Sequence, residues 1–318
     1  MLVGVSIASV FFEYEKYAGR TGDGTPRQYL ATVFRPTLAH TPPVAEEAEA
    51  TVLFVGDMMF DRYIRQVTER QGGDFLFSCI EPLLQEADLV VGNLEGPITV
   101  EQSVSVGSVI GSPNNFRFTF PLGTANLLLQ HHIQIVNIGN NHIDNFGREG
   151  IASTRDALTK AGVSYFGDIA GENMVYQTEV QGVGLSFINY NQFGGASAEK
   201  VAERITSEHL LGRKVIVYTH WGEEYIEVTG LVRGLAKLFA EHGADIIIGS
   251  HPHVIQSNEK IGNTLVYYSL GNFIFDQYWE ARVTKGLTLL VHISKDQITV
   301  DERPVTLMPD GRTCPATQ

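Results

Sequence analysis

The chain has 318 residues, 43% hydrophobic and 19% charged, a make-up that fits one large or two small globular α/β domains and excludes a disordered chain. Its 23 Lys and Arg stand against 36 Asp and Glu, and a formal net charge of −13 argues against nucleic acid or an anionic membrane surface as a general partner. The two cysteines, Cys79 and Cys314, lie far apart, the second in a polar tail, so no disulfide framework is expected and the redox compartment stays open.

The chain opens on MLVGVSIASVFF over residues 1–12, an apolar run with no Lys or Arg before it. It is shorter than the roughly 20 residues of a membrane span. It reads as the trailing end of a signal anchor, which would leave the protein membrane-anchored with an extracytoplasmic domain, or secreted; a buried strand is the alternative. Residues 13–50 lack sustained apolar periodicity and close on HTPPVAEEAEA, a semi-extended linker by composition. A single folded domain is expected over 51–308, with a mobile tail over 309–318.

Within that domain TVLFVG, ADLVVGN, IQIVNIG, KVIVYTH, ADIIIGS and TLVYYSLGN read as strands buried on both faces. Helices are predicted between them, over 147–161 with a stop at Gly162, and over 228–242 with Leu231, Leu235, Leu238 and Phe239 on one face and a stop at Gly243. LVYYSLGNFIF, GLTLLVHIS and QITVDERPV follow with only loops between them, the pattern of antiparallel pairing. The sum is an α/β sandwich with mixed sheets.

In open α/β sheets ligands gather beyond the carboxyl ends of strands. Those ends carry Asp57, then Asn93 and Glu95, then Asn140, Asn141 and His142, then His220, then His251 and His253, then Asn272. A hydrolytic two-metal centre needs such oxygen and imidazole ligands, with one carboxylate bridging cations about 3.5–4 Å apart. Each short motif alone is weak; H-P-H is the most specific, since two imidazoles flanking a proline are a costly turn without a role.

The ordered blocks G56-D57-M-M-F-D61-R62, G92-N93-L94-E95-G96-P97, G139-N140-N141-H142, T219-H220-W221-G222-E223-E224-Y225 and G249-S250-H251-P252-H253-V254 resemble the metallophosphoesterase superfamily. Two departures stand out: no His follows two residues after Asp57, and Glu95 occupies the place of a bridging Asp. Both are shared with the CapA family of capsule (poly-γ-glutamate) synthesis, which the chain resembles from about Thr51 to Asp276. In that family an Asp commonly stands three residues after the block's histidine; here it is Asn145, with Asp144 before it.

The resemblance implies a four-layer αββα fold. It implies Asp57, Glu95, Asn141, His220, His251 and His253 as ligands of one or two divalent transition ions (Mn, Fe or Zn), Glu95 bridging, and His142 as the group that stabilises or protonates the leaving oxygen. Substrate contacts are expected from Arg62, Arg117, Asn93, Asn140, Trp221, Glu224 and Asn272. NNFRFTFP alternates, which as a strand would send Phe116, Phe118 and Phe120 inward and Arg117 with Thr119 outward. Two functions follow. One is hydrolysis of a phosphorus or amide centre by metal-activated water. The other is a non-catalytic assembly, export or polymer-binding role in the capsule machinery, alongside capsule-synthesis membrane proteins, with poly-γ-glutamate or another anionic molecule as ligand.

Overall fold

The computed structural model describes residues 13–24, 26–33 and 48–316. The apolar run over 1–12 and residues 34–47 of the expected linker lie outside the described residues. The chain divides into two units, 1–46 and 47–318. In the first, β1 (Glu13–Arg20) pairs antiparallel with β2 (Pro26–Val33), from Glu13↔Val33 to Arg20↔Pro26. A β-hairpin therefore occupies what composition suggested was linker, its turn closed by the Gly24 N–H to Thr21 O at 2.9 Å.

The second unit begins with β3 (Glu49–Met58), α1 (Arg62–Gln71), α2 (Asp74–Phe77), α3 (Glu81–Leu84), β4 (Leu89–Leu94), α4 (Thr124–Gln130), β5 (Ile135–Asn137), α5 (Gly147–Ala161) and β6 (Ser164–Phe166). It continues through β7 (Val175–Val180), β8 (Val183–Asn191), α6 (Ala198–Leu210), β9 (Lys214–His220), α7 (Gly230–Glu241), β10 (Ile246–Ser250), β11 (Asn258–Ile261) and β12 (Thr264–Tyr267). The last strands are β13 (Asn272–Ile274), β14 (Lys285–Ser294), β15 (Ile298–Leu307) and β16 (Thr313–Pro315). One sheet has the order β16-β15-β14-β3-β4-β5-β6, with β13 also on β3; the other has the order β11-β12-β10-β9-β8-β7. Both are mixed: β3, β4, β5 and β6 run parallel while β14 and β15 are antiparallel, as the C-terminal sequence suggested.

Strand alternation explains why these sheets stack. Along β3, Leu53 and Val55 face the helices bearing Ile64, Phe77, Leu128 and Leu158, while Val52 and Phe54 face the other sheet. Along β9, Ile216 and Tyr218 face back into that middle layer, and Val215 and Val217 pack under Val201, Ile205, Val232 and Phe239 of α6 and α7. Three apolar layers thus separate helices, sheet, sheet and helices, the four-layer αββα sandwich that the resemblance implied.

Several local readings shift. α5 ends at Gly162 in the left-handed conformation (φ 83°), as its sequence foretold. α7 buries Phe239 and packs Leu235 and Leu238 against the core as expected, but Val232 and Ala236 complete the stripe and Leu231 is 64% exposed, because the sheet beneath sets the buried face. TLVYYSLGN splits between β12 and β13 in different sheets. NNFRFTFP is not a strand: Pro113–Phe116 form a 3-10 turn, Phe116 is half exposed, and Thr119 is buried beside Phe118 and Phe120.

The C-terminal tail is tied down rather than mobile through residue 316. β16 pairs with β15 through Thr306↔Cys314, and Cys314 forms a disulfide with Cys79 across a separation of 235 residues. Sequence spacing gave no sign of this bond, because the two cysteines meet only once β15 has returned the chain to the α2–α3 turn. Cys314→Ser is expected to lower the free energy of unfolding by about 2–4 kcal/mol, read as a shift of the denaturation midpoint. Reductant should bring the parent to the same midpoint and leave the variant unmoved.

Candidate metal centre

At the carboxyl ends of the parallel strands the layer between the sheets turns from apolar to polar. On β8, Leu185 and Phe187 are followed on the same face by Asn189 and Asn191; on β9, Ile216 and Tyr218 by His220; on β10, Ile246 and Ile248 by Ser250. Opposite them, Val91 of β4 gives way to Asn93 and Ile135 of β5 to Asn137. Asp57 joins this layer only through a bulge. Phe54 pairs with Val91 but Asp57 with Asn93, so one extra residue returns the carboxylate to the inter-sheet face. Gly56 is what the bulge requires: a Cβ there would lie 2.0 Å from Gly271 O.

Asp57 and Glu95 are wholly buried. Asp57 Oδ1 accepts from Asn93 Nδ2 at 2.8 Å and Oδ2 from the His251 N–H at 3.1 Å. Burial nevertheless pushes its carboxyl up to about 7. Burial also holds Glu95 well above the usual carboxylate range, with the charges of Asp57 and Glu224 adding to the effect. Glu95 Oε1 accepts no hydrogen bond, and it lies 3.4 Å from His253 Nε2 and 3.9 Å from His142 Nε2. Asp57, Glu95 and His253 each offer a ligand atom, all within 4.8 Å of one another, a group that could hold a metal ion.

The imidazoles are in the ligating form. Burial lowers His142 and His251 to about 4 and holds His220 and His253 well below the ordinary histidine value, so all four rings are neutral at pH 7. Their partners fix where the single proton sits. Asn272 donates through Nδ2 to Gln277 Oε1 (3.0 Å) and Val283 O (3.1 Å), so its Oδ1, 2.9 Å from His253 Nδ1, accepts that N–H and leaves Nε2 bare. The Ser250 hydroxyl donates to Thr219 O at 2.7 Å and therefore accepts from His220 Nδ1 at 2.9 Å. His220 Nε2 is then bare, 2.8 Å from Asn141 Oδ1: two acceptors in contact, a pairing that a cation shared between them would favour. His251 Nδ1 has no partner. His251 (φ 95°) and His253 (φ 58°) both hold the left-handed backbone, at a cost of roughly 1–3 kcal/mol each. The His251 N–H bond to Asp57 and the Tyr225 N–H bond to Pro252 O (2.9 Å) keep that turn in place.

His142 lies beside the triad with Phe118 against its ring. Asn145 Oδ1 already accepts the Phe118 N–H at 2.7 Å, and it accepts His142 Nδ1–H at 3.2 Å as well. The ring, kept neutral by burial, stands with Nε2 3.9 Å from Glu95 Oε1.

Of the expected substrate contacts, Glu224 is partly buried and its charge reaches Asp57 and Glu95. Arg62 is not a free fork: it pairs through Nε and Nη2 with Asp276, between the rings of Phe118 and Phe275. Arg117 donates to Asn145 O at 3.0 Å and stacks on Phe146, lining a separate cleft of about 580 Å³ with Thr99, Glu101 and Glu149. Trp221 is buried between its sheet and α7, donating to Tyr268 O at 2.9 Å. Asn93, Asn140 and Asn272 act on the protein itself: Asn93 on Asp57, Asn272 on His253, and Asn140 by donating to Leu94 O at 2.8 Å. Residues to which no role was assigned from the sequence are Asn137, which donates to Asn93, Asn189, which donates to Asn137, Ser250, which lies within a recognised block, and Asn191 and Phe193 beside His220. The alternation through F187-I-N189-Y-N191 was the available signal.

Asn145→Asp would place a carboxylate against His142 Nδ1. An opposite charge at that distance favours the imidazolium, so the His142 pKa is expected to rise from about 4 into the ordinary histidine range. A ring-proton NMR titration of the metal-free protein checks this; an unmoved His142 would contradict the assigned contact.

Residues 51–277 match the bacterial capsule synthesis protein PGA_cap family. The chain is 31% identical to the capsule biosynthesis protein CapA of Bacillus anthracis, over 86% of this chain and 71% of that protein. It is 29% identical to the PGA biosynthesis protein CapA of Bacillus subtilis (strain 168), over 81% of this chain and 72% of that protein. The match spans every strand end that builds the buried cluster, and the chain belongs to the bacterial capsule synthesis PGA_cap family.

Proposed function

We propose that this protein is a metal-dependent hydrolase of the capsule machinery, acting on poly-γ-glutamate or another anionic molecule with a phosphoester or amide bond. The observation that carries the reading is Glu95 Oε1, a buried carboxylate oxygen with no donor, facing the bare Nε2 of His253. Buried acceptors converge there, and because burial raises both Asp57 and Glu95, the protons they hold would leave as a cation enters. Asp57, Glu95 and His253 would hold a tight ion, and His220, Asn141 and His251 would complete that site or hold a weaker second one. The mixed oxygen and nitrogen set suits Mn, Fe or Zn. A divalent cation in such a setting supplies Lewis-acid polarisation and lowers the pKa of a bound water.

The chain's own groups do the rest. Asn272 and Ser250 orient the imidazoles, Asn93 steers Asp57, and His142, beside Glu95, would stabilise or protonate the leaving oxygen. A net charge of −13 would repel a polyanion at long range, so binding depends on the local charge of the ion and of Arg62, whose field reaches Glu95. A second reading, a polymer-binding or assembly component with slow turnover beside capsule membrane proteins, is supported by membership of the capsule synthesis family. The disulfide supports an extracytoplasmic, membrane-anchored or secreted location; among the described residues no helix is long and apolar enough to cross a membrane.

Elemental analysis of the purified protein, with hydrolysis of an aryl phosphodiester, tests the proposal. The parent is expected to carry roughly one to two equivalents of transition metal with activity, both lost in His253→Ala. Metal without turnover would move the reading to the binding role, and no metal after reconstitution would sink it. Because Asp57 is raised to about 7, metal uptake must displace protons. Affinity for Mn²⁺ should therefore climb as pH rises through 7, and calorimetry in buffers of different ionisation enthalpy should register proton release.

A further inference from the structure

Asn191 closes β8 directly beside His220, its register partner on β9, and turns to the same inter-sheet face. It is only 4% exposed, and its Nδ2 is a buried donor without an acceptor. The amide cannot rotate to relieve this, because Oδ1 accepts the Phe193 N–H at 3.0 Å. Phe193 then lays its ring against His220 and His251, at centroid distances of 5.8 and 4.4 Å, so the amide and the imidazoles share one rim. Of the other orphaned donors among the described residues, those on Arg155 and Arg204 belong to guanidinium groups already paired with Asp168 and Glu208, and the Tyr278 hydroxyl stands on a ring packed edge-on against Tyr63.

A buried donor left unmade carries a desolvation cost that folding alone does not explain. The other orphaned atoms at this rim, Glu95 Oε1 and His251 Nδ1, can take a cation; an amide NH₂ cannot, since its hydrogens carry positive charge. Its complement is an oxygen bearing negative charge.

We infer that Asn191 Nδ2 is the hydrogen-bond donor for an oxyanion, a phosphoryl or carboxylate oxygen, of the molecule bound at this centre. The assignment deepens the hydrolase reading and rests on it for the presence of the ion. It makes Asn191 a substrate contact that discriminates anionic groups, with its amide aimed in advance by the Phe193 backbone. The neighbouring Phe193 ring, 45% exposed, would cover one side of the bound group and keep water from competing for the donor.

The test measures binding of two probes, inorganic phosphate and γ-glutamylglutamate, by calorimetry to the full chain with and without Mn²⁺. Parent, Asn191→Ala and Asn191→Asp are compared, the last keeping the acceptor for the Phe193 N–H while removing the donor. At least one probe is expected to bind the parent and to weaken about tenfold or more in both variants, the loss expected of a hydrogen bond to a charged group, at unchanged metal stoichiometry. Whichever probe responds identifies the oxyanion as phosphoryl or carboxylate. The inference is overturned if neither probe binds the parent, if variant affinities stay within about twofold of it, or if the variants lose metal together with the anion. A parent that takes up no metal would sink the hydrolase reading instead, and the metal-free affinities would still decide the role of Asn191.

Discussion

Asp57 and Glu95 place two carboxyl groups, wholly excluded from water, at one end of the layer between the sheets. Ionised together they would repel each other in a medium that screens poorly; protonated, they hold neutral the groups best suited to bind a cation. Much of the surrounding structure manages that conflict. Asn93 and the His251 N–H donate to Asp57, the imidazoles stay neutral, and Glu95 Oε1 is left open. A cation between them would remove the repulsion and satisfy the open oxygen together, which is why this group could hold a metal ion.

The fold serves this end by changing the character of one layer along its length. The same alternation that packs Phe54, Phe187 and Tyr218 between the sheets carries asparagine, histidine and serine into that layer two residues further on. Tyr218 marks the transition, its hydroxyl donating across the layer to Val55 O at 2.6 Å. The cost is local strain at His251 and His253 and a bulge at Gly56 that admits no side chain. A rigid apolar sandwich on both sides tolerates such strain, as it commonly does at functional sites.

Much of this could be read from the sequence, for identifiable reasons. Runs such as KVIVYTH and ADIIIGS end on polar residues, so strand ends and ligand candidates coincide, and Gly162 marked its helix end by composition alone. The hairpin over 13–33 was missed because its strands carry no sustained apolar alternation, and the anchoring of Cys314 because a bond across 235 residues leaves no local signal. Arg117 was misplaced by an alternation that the 3-10 turn at Pro113 breaks, and Trp221 by its nearness in sequence to His220, when successive strand residues point to opposite layers. Asn189 and Asn191 escaped notice because they sit on a strand outside every recognised motif, although their two-residue spacing after Phe187 places them on the inter-sheet face.

The account stands most directly on where a metal binds. Crystals of the full chain exposed to Zn²⁺ and measured at the zinc absorption edge would locate it by anomalous scattering. A peak about 2.0–2.2 Å from both Glu95 Oε1 and His253 Nε2 is the predicted result. A zinc-loaded crystal with no peak between Asp57, Glu95 and His253, or with peaks only at surface histidines such as His292, would contradict it.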